Sequence, residues 1–211
     1  MGLPSSRRGR GVAALPLFVG LIAPLIASCS ASSDTSSPWS YEPFTELISS
    51  AIDDATAGGA SDQQMALLTS AQVEGEMPID LMKSAVYNAI DCFNSVGGQA
   101  TYEETTEPSG LVQPGYKALF ATTLPDTLHD SCETKELRWV SFVYSLQPSS
   151  RELVGQFVMS KEDVLRQCME DAGIKTDPKA TGWDLAQQAS ELPGDTAGGM
   201  DCLAAADIWS L

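Results

Sequence analysis

Histidine and positive charge are what this sequence has least of: one histidine, His129, and 12 Lys and Arg against 28 Asp and Glu. Each scarcity excludes a class of function. His129 lies in the polar stretch Pro125-Asp126-Thr127-Leu128-His129-Asp130, read as a loop, and no G-x-S-x-G elbow accompanies it, so a serine–histidine–acid relay has no foundation. There is no G-x-x-x-x-G-K-[ST] phosphate loop, no G-x-G-x-x-G, no H-E-x-x-H and no EF-hand ladder of acids. No catalytic, cofactor-binding or metal-binding residue is therefore assigned, and no cofactor is expected. The adjacent acids Asp53-Asp54 and Glu103-Glu104 diverge on a helix or a strand and read as solvated surface. Aromatic residues make up 7% of the chain; Trp139, Trp183 and Trp209 sit beside apolar neighbours and read as core, whereas Trp39 reads as exposed.

Long apolar runs are equally scarce. The one that stands out, Val12 to Ala27, is uncharged, rich in Leu, Val, Ile and Ala, and follows Arg7, Arg8 and Arg10. It has signal-peptide length and is short for a membrane span of about 20 residues. Pro16 and Pro24 also argue against a regular spanning helix. The stretch Leu25-Ile26-Ala27-Ser28-Cys29 looks like a bacterial lipobox, in which cleavage leaves Cys29 as a lipidated N-terminus. One acyl chain holds a protein to a bilayer only marginally, and two or more make a stable anchor. An ordinary secretory signal and an uncleaved membrane helix are the rival readings. Arg7-Arg8 hints at twin-arginine export, but Gly9-Arg10-Gly11 lacks the apolar residues that usually follow such a pair, which favours general secretion.

The first 28 residues hold three of the basic residues and none of the acidic ones. The remainder therefore carries nine basic against 28 acidic residues, formally −19. Such a surface repels nucleic acid and anionic head groups, so nucleic-acid partners are excluded.

Four cysteines follow Cys29: Cys92, Cys132, Cys168 and Cys202. An even number in an exported chain points to two disulfides. Zinc, the rival, prefers close cysteine pairs with histidine support, and these cysteines are widely spaced.

Ser30 to Ser40 is Ser-rich and reads as a tether. Phe44, Leu47, Ile48, Ala51 and Ile52 predict a helix over Tyr41 to Ala55, ended by Gly58-Gly59. Ser61, with Gln64 at the capping-box position, predicts a second helix closed by Gly75. Pro78 and the stripe Ile79, Met82, Ala85, Val86, Ala89, Ile90 and Phe93 predict a third, stopped at Gly97. Alternation of Ala100, Tyr102 and Thr105 with polar residues, and again of Tyr116, Ala118 and Phe120, predicts an antiparallel hairpin. Its second strand runs from Gly115 to Thr123, after the punctuation of Pro108-Ser109-Gly110 and Pro114-Gly115. Cys132 to Gln147 fits strand by propensity and helix by stripe. Glu133 and Glu136 in a first turn tip it towards helix. Ser160 with Asp163 predicts an N-cap, followed by Val164, Leu165, Cys168 and Ala172 on one face. Further helices are expected over Trp183 to Leu192 and Met200 to Trp209, the last with Cys202, Ala205, Ala206 and Trp209 sharing a face.

Asp91-Cys92-Phe93-Asn94-Ser95-Val96-Gly97 and Gln167-Cys168-Met169-Glu170-Asp171-Ala172-Gly173 share the pattern polar-C-apolar-x-x-apolar-G. The likeness fits two copies of one module, about 60–150 and 155–211, although a C-x4-G match also arises by chance. Sequential pairing, Cys92 with Cys132 and Cys168 with Cys202, keeps each bridge inside one module. Four cysteines allow three pairings, and loop entropy does not choose among them.

These features, together with S-D-Q-Q-x-x-L-L at Ser61 to Leu68, Cys132 with the aromatic stretch after it, and C-M-x-x-A-G at Cys168 to Gly173, resemble a diffuse group of uncharacterised actinobacterial lipoproteins. The resemblance implies secretion, lipidation and a mostly helical disulfide fold, and brings no activity with it. The expected architecture is mainly α with a small β-hairpin, disulfide-stabilised. Residues 1–28 form a signal peptide, 29–40 the lipidated cysteine and tether, and 41–211 one extracytoplasmic domain. The expected function is a binding or interaction module on the outer face of the cell membrane. Its partners would be the membrane, through the lipid, and an envelope protein or small ligand. A carboxylate enzyme acting on envelope polymer and a structural envelope protein are the alternatives.

Overall fold

A computed structural model describes residues 43–119, 126–192 and 198–209. Cys29, the tether, Trp39 and Phe120 lie outside them. The fold is mainly helical with one two-stranded antiparallel hairpin and two disulfides.

The N-terminal part follows its apolar stripes. Helix α1 (Phe44–Gly58) buries Phe44, Leu47, Ile48, Ala51 and Ala55, and α3 (Ile79–Ser95) buries Met82, Ala85, Val86, Ala89, Ile90 and Phe93. Between them α2 (Asp62–Glu74) begins at Ser61, whose hydroxyl accepts from the Gln64 N–H at 3.1 Å.

The reciprocal half of that capping box does not form. The Gln64 side chain is fully buried and turned the other way. Its Nε2 donates to the carbonyls of Thr134 and Lys135, and its Oε1 accepts from the N–H groups of Trp139 and Val140. Those four groups flank the break between α4 (Asp126–Glu136) and α5 (Arg138–Leu146). A helix end leaves carbonyls or amides without an intrahelical partner. One side-chain amide satisfies both ends at once. The Ser61 N–H, which the box would have paired with Gln64, donates to the Lys135 carbonyl at 2.8 Å, and the Ser61 hydroxyl donates to Glu136 at 2.6 Å.

The region from Cys132 to Gln147 is thus helical, but not as one helix opening at Glu133. Glu133 and Glu136 lie in the last turns of α4, and the chain around His129, read above as a loop, is helical backbone. Leu137 keeps its own bonds, its N–H to the Glu133 carbonyl and its carbonyl to the Ser141 N–H. What local sequence could not reveal is that Gln64 meets the Thr134 and Lys135 carbonyls and the Trp139 and Val140 N–H groups on either side of it.

Strand β1 (Gln99–Thr106) pairs with β2 (Val112–Leu119), with Glu104 opposite Pro114. The second strand therefore starts before Gly115 and runs through Pro114. The Glu107 N–H donates to the Leu111 carbonyl at 2.8 Å. Antiparallel pairs alternate, so this bond makes Glu104–Pro114 a non-hydrogen-bonded pair, where proline's missing N–H costs the ladder nothing. The connection Pro108-Ser109-Gly110 ends with Gly110 at φ 86°, the left-handed residue such turns require. The Asn94 side chain accepts from the Ala100 N–H at 2.8 Å and joins the end of α3 to β1.

Helix α6 (Pro148–Ser160) is absent from the sequence reading. Pro148 occupies its first turn, and Ser150, Gly155 and Val158 are buried. Ser160 ends this helix and caps nothing: its hydroxyl donates back to the Phe157 carbonyl at 2.6 Å. Helix α7 (Glu162–Asp171) then buries Leu165 and Met169, whereas Val164 and Ala172, assigned above to the apolar face, are exposed. Helix α8 (Gly182–Ser190) has a complete capping box between Thr181 and Asp184. The N–H and hydroxyl of Thr181 hold the Asp184 carboxyl below the usual range. Its N-terminus lies close against α6, since a Cβ on Gly182 would sit 2.6 Å from the Val158 carbonyl oxygen.

Helix α9 (Gly199–Ala205) is shorter than the expected segment to Trp209. Asp207, at φ 58°, turns the chain, and the Ile208 N–H donates to the Leu203 carbonyl at 2.9 Å. Cys202, Leu203, Ala206 and Ile208 are therefore buried, while Ala205 is exposed and Trp209 is 75% exposed.

Two apolar cores result. One gathers α1 to α3, the hairpin and α5; the other gathers the end of α6 with α7, α8 and the C-terminal segment. Val154 on α6 packs against both. Each core lies beside one bridge: Cys92–Cys132 with Cα atoms 5.7 Å apart, and Cys168–Cys202 at 5.5 Å. The helices carrying Cys92 and Cys168 are each followed by a left-handed glycine, Gly97 and Gly173. What each bridge encloses differs: the hairpin in the first case, α8 in the second. Among the described residues no helix is long and apolar enough to cross a membrane.

Candidate binding cleft

The hairpin turn and α6 face each other where the two cores meet. Two features hold the turn there. Its backbone is closed by the Glu107–Leu111 bond and by the Gly110 N–H donating to the Glu107 carbonyl at 2.8 Å. The Tyr144 hydroxyl on α5 donates to the Val112 carbonyl at 2.7 Å, just beyond the turn.

Opposite, the α5–α6 junction is fixed by Gln147, a buried residue whose side chain accepts from the Met77 N–H and donates to the Met77 carbonyl. The Ser150 hydroxyl donates to the Tyr144 carbonyl across the same junction. The residues that follow on α6 are therefore held at a set distance from the turn.

Between these parts lies a cavity of about 270 Å³. Leu111, Leu146, Val154 and Trp183 form its apolar walls, and Gln113 and Ser145 add neutral polar groups. Among the described residues its charged lining is one acid, Glu107 at the turn, and one base, Arg151 on α6. A second cavity of about 110 Å³ adjoins it and shares Glu107 and Val154. Phe157, Ile208 and Trp209 form its far wall. The wall is set by the left-handed turn at Asp207, and Lys161 approaches both the Asp207 carboxylate, at 4.0 Å, and the Phe157 ring, at 4.7 Å. Together the cavities make an apolar cleft with Glu107 at its centre. Ligand sites in proteins have this character: a mostly apolar concavity with a few convergent polar groups.

A third, more open concavity of about 390 Å³ lies on another side of the hairpin, lined by Tyr116, Glu133 and Ser141 among others. There the Tyr116 hydroxyl donates to Glu133 at 3.1 Å. Burial first, and the Glu133 charge second, push the Tyr116 hydroxyl well above its ordinary value.

The residues singled out from sequence fall elsewhere. Cys92, Cys132, Cys168 and Cys202 are consumed in the two bridges. Cys29 lies outside the described residues, and so does the side chain of His129. Asp53 and Asp54 are exposed on α1, and Glu103 is exposed on β1. Glu104 pairs with Lys83 at 2.9 Å and accepts from the Tyr102 hydroxyl at 2.7 Å, a surface contact between β1 and α3. Trp139 and Trp183 are half-buried, Trp183 as a wall of the cleft, and Trp209 is exposed at its edge. No three metal-ligating side chains converge among the described residues.

Glu107, Arg151 and the apolar walls were not found from sequence. A signal was present for part of them: Pro148 followed by Val154, Phe157 and Val158 at helical spacing marks α6.

Comparison of the chain with protein-family models, curated proteins and solved structures finds no match.

Proposed function

We propose that the protein is a lipid-anchored, extracytoplasmic binding module that holds a small ligand in the cleft between its two cores. The observation that carries this reading is the cleft itself: apolar walls from Leu111, Leu146, Val154 and Trp183, with one acid and one base among them. A glycosidase-type enzyme needs two carboxylates flanking one bond. Among the described residues the larger cavity offers only Glu107; the smaller adds Asp207 to Glu107, but Asp207 is exposed and lies beside Lys161. The geometry therefore favours binding over carboxylate catalysis. The anchor rests on the basic, apolar and small-residue order ahead of Cys29, and the formal −19 of the remainder disfavours nucleic acid as a partner.

The test uses cells producing the full chain. Fractionation is expected to find the parent in the membrane and the Cys29→Ala variant released from it. Persistence of the variant in the membrane would remove the anchor from the reading. Indole, a neutral apolar probe, is expected to raise the melting temperature of the purified parent but not of Leu146→Trp, which fills the cavity. An equal rise in both would place the binding elsewhere.

A further inference from the structure

We propose that the ligand of the cleft is a free α-amino acid with an apolar side chain, its ammonium group on Glu107 and its carboxylate on Arg151. This inference rests on the cleft being a binding site and goes on to name the occupant.

Three properties of the cavity lead to it. The first is size. About 270 Å³, with about 110 Å³ adjoining it, lies at the low end of the range of roughly 300–1,000 Å³ usual for ligand sites, which suits a metabolite of few atoms. The second is the pairing of charges. A cavity with only an acid selects cations, and one with only a base selects anions. Glu107 and Arg151 line the same apolar space, so a ligand with both charges matches it best. A carboxylate in such a site costs desolvation unless an ion or hydrogen-bond donors meet it.

Glu107 has acceptor capacity to spare. Its backbone is fixed by the turn, and its side chain is met by the Ser109 hydroxyl at 3.4 Å, a long contact. Arg151 presents a planar fork of five donors, so it can take a carboxylate through two of them while keeping other contacts. The third property is the apolar remainder. Leu111, Leu146, Val154 and the Trp183 ring make up most of it, Gln113 and Ser145 are its neutral polar groups, and a charged side chain would be desolvated there with no further opposite charge among the described lining residues. Aromatic and branched aliphatic side chains fit this wall best.

The experiment is calorimetric titration of the full chain in detergent with L-phenylalanine and L-leucine. Phenethylamine, which lacks the carboxylate, and 3-phenylpropionate, which lacks the ammonium, are the comparison probes, and indole is the neutral one. Both amino acids are expected to bind, and each single-charge probe to bind at least tenfold more weakly. Glu107→Gln and Arg151→Gln, with melting temperatures near the parent's, are each expected to weaken L-phenylalanine tenfold or more. Glu107→Gln should not weaken 3-phenylpropionate, and Arg151→Gln should not weaken phenethylamine, because each variant removes only a like charge from the probe's surroundings.

Equal affinity for the amino acid and either single-charge probe would overturn the inference. Binding of indole without either amino acid would overturn it too, while leaving the cleft a binding site. Failure of every probe, indole included, would remove both readings together.

Discussion

Gln147 and Met77 exchange two hydrogen bonds: the Met77 N–H donates to the Gln147 side-chain oxygen at 2.7 Å, and the Gln147 side-chain amide donates to the Met77 carbonyl at 3.0 Å. The residues are 70 apart in sequence and both are buried. The pair imitates a β-ladder rung and fastens the α5–α6 junction to the loop before α3. Gln147 also closes α5, its N–H donating to the Val143 carbonyl, and opens α6, its carbonyl accepting from the Arg151 N–H.

Replacing Gln147 with Leu keeps most of the volume and leaves both Met77 groups without that partner. Buried unsatisfied groups cost about 1–3 kcal/mol each, so a loss on the order of 3 kcal/mol is expected in urea unfolding. A loss below about 1 kcal/mol would mean that the junction is held by other contacts.

The Cys168–Cys202 bridge ties α9, and with it the Ile208–Trp209 wall, to α7. With a sequence separation of 34, the chain-entropy relation gives the bridge about 4 kcal/mol. Replacing both cysteines with Ser is expected to lower unfolding stability by about that amount, read from the urea midpoint at unchanged slope. A loss of under about 1 kcal/mol would show that the C-terminal segment is held by the packing of Leu203, Ala206 and Ile208 alone.

Tyr116 gives the fold an alkaline limit. Burial and then the Glu133 charge raise its hydroxyl above the ordinary value of 10.0, so the folded chain keeps this proton more tightly than the unfolded one. A raised value means that the contribution is complete below about pH 10 and is lost as pH climbs from there towards the folded value. Thermal unfolding followed from pH 8 to 11.5 should show a fall beyond pH 10 that is smaller in Tyr116→Phe. Identical profiles would contradict the assignment.

The sequence discloses elements whose stabilising contacts are local and conceals those fixed from a distance. The stripes of α1 and α3 are self-evident because successive turns of one helix meet one core. The S-x-x-Q pattern at Ser61 and Gln64 is also read correctly as a helix start, since Ser61 caps the Gln64 N–H. What Gln64 does beyond that cannot be read, because its partners are 70 to 76 residues away.

The same distinction explains the misread start of α7. Ser160 and Asp163 match a capping pattern, but α6 reaches Ser160 from the N-terminal side, so its hydroxyl finds a carbonyl one turn back. At the C-terminus, helical spacing grouped Trp209 with Cys202, and the left-handed Asp207 undid the spacing within two residues. The cleft was hidden for a further reason. Glu107, Arg151 and Trp183 belong to three separate elements, and none of them forms a motif with its neighbours in sequence.

Whether the cleft binds at all is tested most directly by amide-correlation NMR of the full chain during titration with indole, which carries no charge and so does not depend on the amino-acid assignment. The account predicts saturable shifts centred on Leu111, Leu146, Val154 and the Trp183 indole N–H. Shifts centred instead on the Tyr116–Glu133 concavity, or no saturable shifts at all, would contradict it.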